Sequence, residues 1–352
     1  MKQMMLKQLV LTLAAISFLS ACDKGERSFS ILADESNFSQ SPEFEIVPQK
    51  IDILWVIDNS GSMATSQSQL ANNMNRFISR FQSLKYDFNM AVTTSDAVFG
   101  QFWGDDSTRL LRDGIPGETS SGVRIINKDT PNMSNVFITN VMQGIDGNGD
   151  ERAFSSFQSV LTYGPNAGFR RAGAFLAIII LSDEDDFSAT TDAYLGNNYN
   201  DSRLIPVANY KTFLDGLVGV GNHSVNTISI LDEACRVQLA DSFAGRIVGR
   251  RYNQLADLTG GVKTSLCGNF GDNLQLISDT IINQKLEVSF KLTREPQVSS
   301  IVVRVNGALI PQDAANGWTY NASTLTLTFH GTSVPPAGAS ISIAYDPVGP
   351  KN

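Results

Sequence analysis

Histidine is nearly absent from this sequence: two residues, His223 and His330, stand far apart in a chain of 352 residues. Neither has partners at the spacing of metal ligands, which argues against a histidine-bound zinc site and against most acid–base catalysis near neutral pH. The G-x-S-x-G nucleophile elbow, the H-E-x-x-H zinc motif and the phosphate-binding loop are also missing. We therefore expect a protein that is not an enzyme.

Positive charge is also in short supply, and it is not clustered. The 27 Lys and Arg residues face 35 Asp and Glu residues, which gives a net charge of −8. A nucleic-acid surface needs a basic patch or stripe, so nucleic acid is not expected as a partner. The hydrophobic fraction of 42% is that of a globular protein, and the length leaves room for two domains.

The N-terminus carries the pattern of an export signal. Lys2 and Lys7 precede an apolar stretch, 9–19, that is too short for a stop-transfer helix. It ends in Leu-Ser-Ala-Cys at 19–22, which resembles the lipobox of bacterial lipoproteins. The resemblance implies a signal peptide over 1–21, a lipid on Cys22 and a membrane-anchored lipoprotein of the bacterial cell envelope, on its periplasmic face or at the cell surface. A plain secretory signal is the alternative.

The other two cysteines, Cys235 and Cys267, form an even pair in a chain expected to be exported. That favours a disulfide between them, with two buried thiols as the alternative. The stretch 22–48 is rich in Ser, Glu, Asp and Pro, and it is interpreted as a flexible tether between the lipid and the folded part.

From residue 49 to 286 the sequence alternates between strand and helix patterns. Apolar runs predict buried strands at 51–57, 88–94, 174–181 and 224–231, with an edge strand at 262–266. Helical spacing follows the first run, from Leu70 to Leu84, and helices are expected near 151–163, 207–220, 241–259 and 272–284. The fold class predicted is α/β, a doubly wound and mostly parallel sheet flanked by helices. Two polar stretches, 97–148 and 187–206, are predicted to be loops at the carboxyl-end rim.

The last part of the chain, 287–352, changes to alternating apolar and polar residues. The strands predicted are 286–292, 301–305, 324–329 and 340–345, with Asn306-Gly307 as a hairpin turn. This pattern indicates a small antiparallel β module, sandwich-like in form. Trp318 and Tyr320 could offer an aromatic platform to a glycan, but core packing is the favoured interpretation.

The residues that carry chemistry follow the first and the third buried strands. Asp58, Ser60 and Ser62 lie in the run Asp-Asn-Ser-Gly-Ser, and Asp183 follows the most apolar strand. Mg²⁺ and Mn²⁺ prefer oxygen ligands, and a carboxylate followed by hydroxyls two and four residues later can aim three oxygens at one centre. In an open parallel sheet, ligands bind beyond the carboxyl ends of the strands.

This run resembles the D-x-S-G-S signature of von Willebrand factor A domains, whose metal-ion-dependent adhesion site holds a divalent cation. The resemblance spans about 49–285. It implies that Ser60 and Ser62 bind the ion directly and that Asp183 holds it through water. It also implies that a protein partner completes the coordination with an acidic side chain. Mg²⁺ is the ion most expected, with Mn²⁺ or Ca²⁺ as alternatives.

The sequence departs from that signature at one point. The threonine normally supplied before the third helix has no counterpart in the matching segment, 144–154. Asp150 or Glu151 could replace it, and a carboxylate there would weaken the pull on a partner's acid and favour Ca²⁺ or Mn²⁺. In the acidic run that follows the third strand, 183–186, only Asp183 is given a role, and the rest is predicted to be a solvated rim.

Two functions remain open from the sequence. The favoured one is a binding module, anchored by lipid, that captures a protein through the metal. The alternative is a structural or assembly component of an envelope complex whose metal site is stabilising or vestigial.

Overall fold

A computed structural model describes residues 46–47, 50–83, 87–239, 245–284, 289–330, 333–335 and 339–349. The predicted signal peptide and Cys22, the predicted site of lipidation, lie outside these residues. Within them, no helix combines the length and the apolar character needed to cross a membrane.

The predicted fold class is confirmed by a six-stranded sheet with helices on both faces. Its strands are β2 (Lys50–Ile57), β3 (Asp87–Thr94), β4 (Ile126–Asn127), β5 (Phe175–Ser182), β6 (His223–Ser229) and β7 (Lys263–Ser265). They lie in the order β4-β3-β2-β5-β6-β7, and β4 alone pairs antiparallel to its neighbour. The helices are α1 (Ala64–Ser83), α2 (Phe99–Trp103), α3 (Met133–Val141), α4 (Ala153–Thr162), α5 (Val207–Val218), α6 (Glu233–Gln238), α7 (Arg250–Thr259) and α8 (Phe270–Gln284).

Strand β2 shows why the chain forms two cores. Side chains of a strand alternate between the faces of the sheet. Ile53 and Trp55 therefore pack into one cluster, with α1, α3 and α8, whereas Leu54 and Val56 pack into the other, with α4, α5 and α7. Because both faces are covered, the strand is apolar almost throughout, as its sequence predicts.

Two of the predicted boundaries are wrong. The stretch 97–148, expected to be a loop, contains helix α3, in which Met133, Phe137 and Val141 are buried at four-residue spacing. Because polar residues stand between them, this apolar stripe is hard to recognise in the sequence. The helix expected over 241–259 begins only at Arg250, because residues 246–249 are coil that bonds to the sheet edge, Ile247 N–H to the carbonyl of Asp183 and Gly249 N–H to that of Ile230.

The C-terminal module is an antiparallel β sandwich. A four-stranded sheet, in the order β1-β8-β12-β11, faces a three-stranded sheet, β10-β9-β13. The strands are β1 (Ile46–Val47), β8 (Ser289–Lys291), β9 (Val302–Val305), β10 (Ala308–Ile310), β11 (Trp318–Asn321), β12 (Thr326–Phe329) and β13 (Ile341–Ala344). Asn306 and Gly307 form the predicted turn, both with positive φ, and Trp318 is 3% exposed in the core of the sandwich.

Strand β1 lies inside the stretch predicted to be a tether, and it pairs with β8 through Ile46↔Phe290 and Val47↔Ser289. The end of that stretch is thus part of the C-terminal sheet. Two residues are too short a run to predict a strand from sequence. Since β2 begins at Lys50, the chain enters the α/β sheet from the sandwich at the end of β2 opposite to Asp58.

The predicted disulfide is present between Cys235 and Cys267. It joins α6, which follows β6, to the coil that follows β7, at the carboxyl edge of the sheet. This edge carries the candidate site.

Candidate functional site

Asp58 is held at the carboxyl end of β2 by the neighbouring strand. Its backbone N–H donates to the carbonyl of Leu181 at 3.0 Å, and its Oδ2 accepts from the Ser182 hydroxyl at 2.6 Å. Its Oδ1 accepts from the backbone N–H of Ser60 at 2.8 Å, which folds the following loop back over the carboxylate. Asp58 is fully buried as a result.

One hydroxyl of the loop, that of Ser62, contacts Asp183, and the hydroxyl of Ser60 lies beside it. Ser62 Oγ donates to Asp183 Oδ1 at 2.8 Å, across 121 residues of sequence, and it lies 3.3 Å from Ser60 Oγ. Asp58, Ser60, Ser62 and Asp183 therefore form one cluster. Ser62 is its most exposed member, whereas the other three are buried.

The loop is also fixed from the side of residues 143–147. The Gln67 amide donates to the carbonyls of Asp58 and Gly144, at 2.9 and 2.8 Å, and its oxygen accepts from the N–H of Gln143. Gly147 donates its N–H to the carbonyl of Asn59 at 2.8 Å, and a Cβ on Gly147 would lie 2.5 Å from Asn59 Cγ. A larger residue at 147 would have to displace the Asn59 side chain.

The two candidates for the missing threonine are separated by the structure. Asp150 forms a buried ion pair with Arg152, at 2.6 Å from Oδ2 to Nη2, and so belongs to the base of α4. Glu151 is 1% exposed, and its carboxylate oxygens form no hydrogen bond of good geometry within the part of the chain described; the Ser95 hydroxyl is the donor near enough to lower its pKa. Burial, with the charge of Asp58 added to it, raises the pKa of Glu151 well above its usual value. Of the two, Glu151 is the one left available to the cluster.

The acidic run after β5 is not the solvated rim that was predicted. Glu184, Asp185 and Asp186 are all buried. Asp185 accepts from the first-turn amides of α7, those of Arg251 and Tyr252, and Asp186 accepts from the amide of Phe154 in α4. These carboxylates cap helix N-termini from a distance in sequence, so no local N-cap pattern reveals them.

Arg246 is a site residue that the sequence analysis missed. Its Nε donates to Asp183 Oδ2 at 2.8 Å, and its side chain is 10% exposed. A single arginine 63 residues beyond its partner gives no pattern to find, because only the folded chain brings the two side chains together.

Burial and mutual repulsion shape the electrostatics of the cluster. Burial, reinforced by the charge of Asp183, raises the pKa of Asp58 to about 7. Burial also raises the pKa of Glu184 to about 8, with Asp58 and Asp183 adding to the effect, and it raises that of Glu151 well above its usual value. Carboxylates that resist ionisation in this way are stabilised by a nearby cation.

The donor set fits a hard divalent ion. Two buried carboxylates and two hydroxyls supply oxygen ligands only, and Glu151 adds two oxygens that form no hydrogen bond of good geometry among the described residues. In the same residues, no three His, Cys, Asp or Glu side chains converge on one point as ligands would. An ion held at this cluster would therefore depend on the hydroxyls and on water for part of its coordination.

The raised pKa values predict how the metal-free protein responds to pH. The unfolded carboxyls release their protons near pH 4, whereas Asp58 and Glu184 keep theirs to about pH 7 and 8. The folded state thus binds more protons in this window, and the free energy of unfolding should fall as pH rises from 4 to 8, by about 2 kcal/mol or more. Urea unfolding in chelator at pH 5 and pH 8 measures it.

The matched variants for this measurement are Glu184→Gln and Glu118→Gln. The first removes a buried carboxyl and should flatten the loss of stability between pH 5 and pH 8. The second removes an exposed one and should leave the loss unchanged. A metal-free protein that is more stable at pH 8 than at pH 5 would contradict the prediction.

Comparison with the profiles of known protein families finds no match, and comparison with curated protein sequences finds none either. Solved structures with a similar arrangement include the open conformation of the pilus adhesin SpaC from Lactobacillus rhamnosus GG. It is 12% identical, with a TM-score of 0.43, over 86% of this chain and 39% of that one.

Proximal thread matrix protein 1 from the mussel byssus is similar at 12% identity and a TM-score of 0.37, over 70% of this chain and 50% of that one. The same protein with a zinc-occupied MIDAS motif is similar at 11% identity and a TM-score of 0.37. This chain spans half or less of the length of these structures. At these identities and TM-scores the similarities carry no argument about activity or partner.

Proposed function

We propose that this protein is a non-catalytic binding module that captures a protein partner through a divalent ion held by Asp58, Ser60, Ser62 and Asp183. The observation that carries the proposal is the contact of Ser62 Oγ with Asp183 Oδ1 at 2.8 Å. It joins two sequence elements that lie 121 positions apart, each at the end of a buried strand. Adhesion between proteins is the general function that fits this geometry.

The chemistry of the cluster explains why a partner would be needed. A bound ion would supply an electron-poor centre for a carboxylate from outside. The two serine hydroxyls are neutral, so they hold an ion without cancelling its charge. Because Asp58 and Asp183 are buried and Ser62 is partly exposed, the ion would face solvent on the side of the loop. An acidic side chain of a partner would approach there.

Mg²⁺ is the ion proposed, with Mn²⁺ or Ca²⁺ as alternatives. Glu151 is proposed to take the place of the usual threonine, since its carboxylate oxygens form no hydrogen bond of good geometry in the described structure. A third carboxylate would favour Ca²⁺ or Mn²⁺. These ions accept more anionic oxygen ligands than Mg²⁺, which usually keeps several of its water ligands.

The setting proposed is the bacterial cell envelope. A lipid on Cys22 would anchor the chain to a membrane. The sandwich would stand between the anchor and the sheet, because the chain enters β2 at the end opposite to Asp58. The candidate site would then point away from the membrane, on its periplasmic face or at the cell surface.

The first prediction concerns the ion itself. Titration calorimetry of Mg²⁺, Mn²⁺ and Ca²⁺ into the full chain in detergent should show saturable binding. Asp58→Asn, Ser60→Ala and Ser62→Ala should each weaken binding at least about tenfold, since each removes one oxygen ligand of a small set. Ser68→Ala, which removes an exposed hydroxyl of α1, is the control and should bind as the parent does.

Glu151→Gln and Asp150→Asn separate the two carboxylates next to α4. The first should weaken ion binding, whereas the second should lower stability through the loss of the Arg152 pair and leave the affinity nearly unchanged. No binding of any ion to the parent chain would overturn the proposed function. An assembly role with a vestigial metal site would then be the better account.

The second prediction concerns the partner. The immobilised chain should retain a protein from envelope extracts in Mg²⁺, lose it in chelator, and fail to retain it when Ser60 is alanine. Amidation of carboxyl groups in the extract should abolish retention, because the proposed contact is an acidic side chain on the ion. Retention that survives both chelator and amidation would contradict capture through the metal.

The third prediction concerns the anchor. The parent chain should incorporate labelled fatty acid and sediment with membranes, whereas Cys22→Ser should lose the label and appear in the soluble fraction. Cys235→Ser is the matched control, because this cysteine lies in the disulfide and should not change the labelling. A Cys22→Ser chain that still carries the label would rule out lipid on Cys22.

A further inference from the structure

We propose that Arg246 is a built-in cation of the metal site, which competes with the divalent ion for Asp183 and keeps the affinity for the ion low. The inference rests on the proposed function, since it concerns the same site. It assigns a role to a residue outside the D-x-S-G-S run and outside the strand ends.

The contacts of Arg246 join the two halves of the site. Its Nε donates to Asp183 Oδ2 at 2.8 Å, and its Nη2 reaches the backbone carbonyl of Ser62 at 3.4 Å. The other oxygen of Asp183, Oδ1, accepts from the Ser62 hydroxyl. Both oxygens of Asp183 are therefore occupied by the protein itself, one of them by a full positive charge.

The guanidinium is fixed in this position. Its Nη1 donates to the carbonyl of Leu239, just after α6, and the next residue, Ile247, donates its N–H to the carbonyl of Asp183 at 3.2 Å. The side chain is only 10% exposed. An arginine held from both sides is therefore already in place beside Asp183 before any ion binds.

The charge balance of the site shows what this arginine does. Four carboxylates are buried around the cluster, those of Asp58, Glu151, Asp183 and Glu184. Two other arginines near this edge are paired elsewhere, the buried Arg152 with Asp150 and the partly exposed Arg251 with Asp186. Arg246 thus offsets part of the negative charge that would attract a metal.

Two consequences follow from Coulomb's law. A guanidinium beside Asp183 repels a divalent ion bound nearby, so the ion binds more weakly than to the carboxylates alone. The same positive charge adds to that of the ion, and so a partner's carboxylate is attracted more strongly. Arg246 would make the ion exchangeable and the partner's contribution to coordination larger.

The test is Mg²⁺ and Mn²⁺ calorimetry on the full chain with Arg246→Gln and Arg246→Lys. The neutral variant should bind each ion about tenfold more tightly, because a repulsive charge is lost. The lysine variant keeps the charge and should stay within about threefold of the parent. Arg236→Gln changes the net charge equally but at an exposed pair with Glu233, and should have no effect. Arg246→Met is a second neutral variant if the glutamine variant does not fold.

A purely structural role is distinguished by thermal unfolding with and without Mg²⁺. If Arg246 only braced the coil, its loss would lower the melting temperature equally in both conditions. If it replaces the ion, Arg246→Gln should be less stable than the parent in chelator and should regain the difference in saturating Mg²⁺. Unchanged or weaker ion binding by Arg246→Gln, beside a parent that binds, would overturn the inference alone. Absence of binding in both chains would overturn the proposed function with it.

Discussion

The parallel pairing of β2 with β5 is the constraint on which the site depends. In this register Ile57 lies beside Leu181, so that the residues following each strand emerge side by side at the same edge. Asp58 then bonds to Leu181 and Ser182 through its N–H and its carboxylate. A slip of the pairing would move Asp183 away from Ser62 and expose apolar side chains of both strands. Packing of two cores thus protects the geometry of the polar cluster.

The same pairing creates an electrostatic cost. Burial beside Asp183 raises the pKa of Asp58, and burial with the nearby charge of Asp58 raises the pKa values of Glu151 and Glu184. This cost is partly offset by hydrogen bonds that the carboxylates accept from neutral hydroxyls, from backbone amides and from the guanidinium of Arg246. The remaining negative charge is a physical reason to expect affinity for a cation.

The structure divides the acidic run after β5 by task. Asp183 faces the serines, whereas Asp185 and Asp186 fix the first turns of α7 and α4 by accepting their amides. These two helices lie on the same face of the sheet, so the run connects the site to one of the two cores. The disulfide of Cys235 holds the opposite side of the same edge, near the coil that carries Arg246. Hydrogen bonds and the disulfide therefore hold most of the segments that border the site.

The sequence by itself determined the order of strands and helices, since buried parallel strands need continuous apolar runs and these are visible in any window. It also determined that the loop after Asp58 would meet Asp183, because residues that follow neighbouring parallel strands share one edge. The β hairpin at Asn306 follows from local turn chemistry in the same way.

Only the tertiary structure decided which groups would be buried, and with which partners. Arg246 and Glu151 lie on coil segments whose path no local sequence pattern predicts. Asp150 does not join the cluster, because it forms an ion pair with Arg152. Charged residues in a row predict a solvated surface, yet Asp185 and Asp186 are buried because helix ends from elsewhere in the chain supply their donors. Strand β1 needs a neighbour 242 to 244 positions later, from Val47↔Ser289 to Ile46↔Phe290, to be a strand at all. Periodicity records which face of an element is covered, but hydrogen bonds and charges between distant segments arise only when the chain has folded.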